Sequence, residues 1–147
     1  MEIDQDFKEF IQLLNKHNVH YLVVGGYAVA AYGYPRYTGD IDFWIRIKPE
    51  NAKNIINALI EFGFGSLDID EEDFLKPDFV VQLGFPPNRI DILTGISGLN
   101  FDECWNEKKI IEVHGEAINF IGLSHLKINK KSSGRDKDLL DLRNLPH

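Results

Sequence analysis

The sequence predicts an α+β fold: one domain over residues 1–147, built on a mixed β-sheet with helices packed mainly on one face. Two observations lead there. Apolar residues recur at helical spacing in some segments and at strand spacing in at least five others, and the two kinds are interleaved without a linker or repeat. With 147 residues, 16.9 kDa and 44% hydrophobic content, the chain suffices for a single core.

The elements follow in order. DFKEFIQLLNKHN places Phe7, Phe10, Ile11 and Leu14 on one helical stripe, with Asp4 or Asp6 as cap. VHYLVVGG reads as a short buried strand ending at Gly25 and Gly26, and alanine-rich YAVAAYG as a helix closed by Gly33. DIDFWIRI, Asp40 to Ile47, is β-branched and aromatic, hence a strand. Pro49 opens the helix NAKNIINALIEF, which stops at Gly63. FVVQLGF and RIDIL flank a turn at residues 86–88 as paired strands, and KIIEVHGEAINFI is a hairpin turning at His114 and Gly115. Ser124 caps a helix running into Lys131, SSG breaks it, and RDKDLLDLRNL resumes helically before Pro146. The acids Asp68, Asp70, Glu71, Glu72 and Asp73 read as a solvated loop, and Phe74, Phe79 and Phe85 as core.

The formal charge of −7 argues against a sequence-independent nucleic-acid binder, which needs Lys and Arg to neutralise phosphates. The segment from Lys127 to Arg143 is nonetheless locally basic, and a phosphate-bearing substrate can dock there. No apolar run is long enough to span a bilayer, and the acidic start MEIDQDFKEF is unlike a signal peptide. The expectation is a cytoplasmic protein with no membrane partner. Cys104 has no disulfide partner and no metal-ligand spacing around it; packing is its expected role.

On a strand, Asp40 and Asp42 project to the same face, with Ile41 and Phe43 opposite. Two like charges so close call for a cation. Mg2+, with Mn2+ as a substitute, prefers such hard oxygen ligands and shares them with substrate phosphates. Asp91, framed by Ile90 and Ile92, is the best third ligand. Gly25 and Gly26, between strand and helix, would let a phosphate approach the backbone. A Rossmann site also begins this way, but Gly25-Gly26-Tyr27-Ala28 does not give its glycine pattern. His17, His20, His114, His125 and His147 form no ligand pair. Tyr27, Tyr32 and Tyr34 are expected over the core, with Tyr37 the candidate to stack on a base.

These residues resemble the nucleotidyltransferase superfamily related to DNA polymerase β. Its pattern is a hydrophobic strand, Gly-Gly or Gly-Ser, roughly nine to thirteen residues, then Asp-hydrophobic-Asp/Glu-hydrophobic and a later third acid. Here Val24-Gly25-Gly26 is followed by residues 27–39, then Asp40-Ile41-Asp42-Phe43, with Asp91 later. More narrowly, Arg36, Thr38, Asp40 and Asp42, then Lys127, Arg135, Lys137, Asp138 and Asp141, look like the small prokaryotic members related to AbiEii-type toxins. The resemblance implies a nucleotidyltransferase fold, Mg2+, a nucleoside triphosphate, and a hydroxyl acceptor: a tRNA or other RNA end, a protein side chain or a small molecule. It makes Asp40, Asp42 and Asp91 catalytic and metal-binding. Gly25, Gly26, Arg36, Tyr37, Thr38, Lys127 and Arg135 become nucleotide contacts, with Lys137, Asp138 and Asp141 accessory. Larger members carry a helical C-terminal region that helps choose the acceptor, whereas only about twenty residues follow Ser124, too few for a further domain. An antitoxin partner or a second copy could supply the missing surface. The rival expectations are a non-catalytic nucleotide- or partner-binding module on this fold, and a phosphatase or nuclease turning the same acids on water.

Overall fold

The computed structural model describes residues 1–34, 38–65 and 68–147. Helix α1 (Gln5–Lys16) is capped by Asp4, whose side chain accepts from the Asp6 backbone N–H, and its stripe of Phe7, Phe10, Ile11 and Leu14 is buried. Strand β1 (Tyr21–Val24) follows, buried throughout, and runs directly into α2 (Gly25–Ala31). After β2 (Ile41–Ile45), Pro49 opens α3 (Pro49–Leu59), which runs on through a π-helical turn, Ile60–Phe64, where Gly63 has φ 103°. Strands β3 (Val80–Leu83) and β4 (Ile90–Leu93) form one antiparallel hairpin, and β5 (Lys109–Val113) and β6 (Glu116–Phe120) another. Between them lies α4 (Phe101–Asn106); α5 (Leu123–Ser133) and α6 (Asp136–Asn144) close the order.

The sheet has six strands in the order β3-β4-β2-β1-β6-β5. It is mixed, as expected: β1 runs parallel to β6 and β2 parallel to β4, while β1 and β2 are antiparallel. Alternation along β2 divides its side chains between two layers. Phe43 meets Phe10 of α1 edge-on at 5.5 Å between ring centroids, so α1, with α3 beside it, covers that face. Burying each such aromatic contributes about 1.5–3 kcal/mol. Asp42 and Trp44 point the other way. Trp44 is covered by Phe101 of α4, at 5.0 Å, which leaves the Asp42 end of this face uncovered by that helix.

Several local expectations need correction. Ser124 does not cap α5: Gly122 takes that position and no side chain caps it. The acid run is partly ordered, since Asp70 and Asp73 close a reciprocal capping box on the 3-10 turn Glu71–Leu75, which buries Phe74. Phe85 is not core but 87% exposed, beside the turn that joins β3 to β4, whereas Phe79 is half-buried. Cys104 packs in the core as expected, and burial pushes its thiol up to about 11.

Candidate active site

The register between β2 and β4 pairs Asp42 with Asp91 directly, and in parallel strands such partners share a face. Asp40 lies just before β2, where its Oδ1 accepts from the Arg89 backbone N–H at 3.1 Å; the Ile41 N–H in turn donates to the Arg89 carbonyl at 3.0 Å. Asp42 and Asp91 thus come from adjacent strands and Asp40 from the segment entering β2, all at one end of the sheet. Their side chains line a cleft of about 530 Å3, together with Gly25, Gly26 and Thr38.

Burial and crowding both act on Asp42. Burial, then the charge of Asp91 and a hydrogen bond to it, then the charge of Asp40, raise the Asp42 carboxyl to about 7 against the pull of Lys130. Gly25 makes this placement feasible. It has φ +69°, and a Cβ there would collide with Asp42 Oδ2, so only glycine leaves room for the carboxylate. The glycine serves the acid directly; α2 is only seven residues long.

Arg89, which no motif in the sequence singles out, lies as a cation among these acids. Its Nε donates to Asp91 Oδ1 at 2.7 Å, one terminal nitrogen donates to Asp91 Oδ2 at 3.1 Å, and that nitrogen lies 3.3 Å from Asp40 Oδ2. The signal was present: Arg89 stands two residues before Asp91, at same-face spacing in RIDIL. As the side chains stand, no group of three or more His, Cys, Asp or Glu among the described residues is drawn together closely enough to hold a metal ion. The donor chemistry suits a hard cation; the guanidinium holds two of the donors.

The helical side of the cleft comes from α5 and α6. Arg135, Lys137 and Asp138 line it, while Lys127 does not and is half-buried elsewhere on α5. The buried lysine is Lys130, one helical turn further on: its Nζ sits 3.3 Å from Asp138 and 3.0 Å from Asp141, both 1% exposed. The spacing hints at this, because Lys130 follows the core residue Leu126 by four and shares its face. Asp138 also accepts from Arg135 Nε at 2.7 Å and from the Arg135 backbone N–H at 3.3 Å. Burial opposes its ionisation, but Arg135, Ser133 and Lys130 together bring it down to about 2. Thr38 donates its hydroxyl to the Asp40 carbonyl at 3.3 Å. Arg36 and Tyr37 lie outside the described residues. Tyr27 is buried, and Tyr32 donates to the Ile121 carbonyl, so both belong to the packing.

No protein-family model and no curated protein matches the chain. Among solved structures, the chain is similar to a crystal structure from Thermotoga maritima described as a "putative nucleotidyltransferase", at 21% identity and a TM-score of 0.65. The likeness covers 93% of this chain and 88% of that one, so the two chains share a fold.

Proposed function

We propose that the chain is a metal-dependent nucleotidyltransferase that moves a nucleoside monophosphate from a nucleoside triphosphate to a hydroxyl acceptor. The observation that carries this reading is the pairing of Asp42 with Asp91 across parallel strands, in a cleft whose helical side supplies Arg135 and Lys137. A volume near 530 Å3 lies within the range of small-molecule sites, about 300–1,000 Å3. The crowding that raises Asp42 is what a cation between the acids would relieve.

Asp40, Asp42 and Asp91 would hold Mg2+, or Mn2+ in its place; when bound, the ion neutralises the phosphates and lowers the pKa of the attacking hydroxyl. The residues of the chain do the rest. A carboxylate oxygen of Asp91 takes the proton of the acceptor hydroxyl, whose oxygen bonds to the α-phosphorus as the bond to the departing pyrophosphate breaks. The Arg135 guanidinium and Lys137 ammonium bind the anionic phosphates, and Asp138 orients Arg135 for that task. Gly25 and Gly26 keep the backbone open beside Asp42, and Thr38 steadies the turn that presents Asp40. Contacts to the nucleotide from Arg36 and Tyr37 belong to the same proposal, whereas Lys127, outside the cleft, drops out of it; a role as the toxin of a toxin–antitoxin pair belongs to it too, its antitoxin or a second copy completing the acceptor surface. The acceptor to test first is tRNA or a protein hydroxyl.

A transfer assay checks the reading: triphosphates labelled at the α-phosphate are incubated with the protein, Mg2+ or Mn2+, and total tRNA or protein. Label should pass to an acceptor, and Asp42→Asn should lower the transfer by about a hundred- to a thousandfold, as loss of charge stabilisation of this kind does. Activity unchanged in the variant would remove Asp42 from the chemistry. Phosphate or nucleotide release without transferred label would favour hydrolysis instead. The second reading, a non-catalytic module on this fold, draws on the Arg89 clamp, and nucleotide binding with no transfer to any acceptor would favour it.

A further inference from the structure

We propose that Arg89 is an exchangeable counter-ion, a guanidinium that occupies the acid cluster until a divalent cation displaces it. The inference rests on the metal-binding reading above and adds a step to it: the cluster assembles only on exchange.

Arg89 neutralises two of the three acids at once, bidentate on Asp91 and within 3.3 Å of Asp40 Oδ2. Among the described residues no ion pair places a cation at contact distance from Asp42, which a divalent ion would remedy. The geometry also permits departure. The Arg89 side chain is 24% exposed, whereas Lys130, another cation acting on Asp42, is 5% exposed and fixed between Asp138 and Asp141. Backbone anchorage is independent of the guanidinium, since the Arg89 N–H holds Asp40 Oδ1 and its carbonyl accepts from Ile41. Rotation of the side chain alone therefore frees Oδ2 of Asp40 and both oxygens of Asp91, leaving Asp40 tied to the hairpin by Oδ1. Metal binding is then a competition between a tethered monovalent cation and a free divalent one.

Direct binding of Mn2+ by the metal-free protein tests this, followed by the electron paramagnetic resonance signal of the free ion and by the rise in melting temperature with added Mn2+. Three proteins are compared: wild type, Arg89→Gln, which removes the charge, and Arg89→Lys, which keeps the charge but loses the fork. The expected result is that Arg89→Gln binds Mn2+ at least about tenfold more tightly than wild type, with Arg89→Lys between them. If Arg89→Gln does not fold without metal, tighter binding by Arg89→Lys than by wild type carries the same weight. Binding equal to or weaker than wild type in both variants would overturn the inference and make Arg89 a fixed support for Asp91, with the metal reading intact. No Mn2+ binding by any of the three would overturn the metal reading, and this inference with it.

Discussion

Asp42 binds a proton in the folded state that it releases in the unfolded chain at the same pH, because its folded value is about 7 against 3.8 for the free side chain. A folded pKa raised above the unfolded one means stability that is highest at low pH and falls as pH rises between those two values. Among the described residues the charged groups acting on Asp42 are Asp40 from the segment before β2, Asp91 from β4, and, opposing the two acids, Lys130 from α5, Arg89 from the segment before β4 and Arg135 at the start of α6. Asp42→Asn keeps the shape and removes the titration. The metal-free variant should therefore be more stable than wild type by about 1–3 kcal/mol near pH 8, with little difference near pH 4. Urea unfolding at the two pH values checks this. A variant no more stable than wild type near pH 8 would mean that the acids do not crowd Asp42 in solution.

At the scale of elements, α6 is an inverted amphipathic helix. Its buried positions include Asp138 and Asp141, whereas Leu139 and Leu140 are 41% and 46% exposed. What attaches it to α5 is charge, the Lys130 ammonium between two buried carboxylates. Removing one member of such a set leaves uncompensated charge, so Lys130→Met should cost about 3–5 kcal/mol. Lys127→Met, by contrast, should stay within about 0.5 kcal/mol, since the half-buried Lys127 is outside that network. Denaturant midpoints of the two variants distinguish them; equal costs would show that the buried network does not hold the helix pair. The same contrast marks how far the sequence was legible. Periodicity revealed α1, α3, the strands and both hairpins, because their apolar stripes do face the core. It did not single out Lys130 or settle Asp138 and Asp141 between local pairing and function, because the four-residue step from Leu126 is its one sign of a buried cation. It passed over α4, where six residues offer only Phe101 and Cys104 as buried anchors. Asp40, Asp42 and Asp91 were legible by same-face spacing, whereas the Arg89 clamp needed the β2–β4 register to bring Asp40 within reach.

The whole molecule carries a charge of −7, yet Arg89, Lys130, Arg135 and Lys137 converge on one cleft that also holds its best-placed acids. That juxtaposition suits a ligand that is itself anionic and brings a cation with it, as a metal–triphosphate complex does; a bare polyanion would meet Asp40, Asp42 and Asp91 uncompensated. Among the described residues no helix is long and apolar enough to cross a membrane. The most direct test of this account is calorimetric titration of the protein with each of the four ribonucleoside triphosphates, with and without Mg2+, alongside the Asp40→Ala/Asp42→Ala double variant. The account predicts that at least one triphosphate binds only when Mg2+ is present and that the double variant loses this binding. Wild-type protein that binds none of the four under either condition, or a double variant that binds as well as wild type, would contradict it.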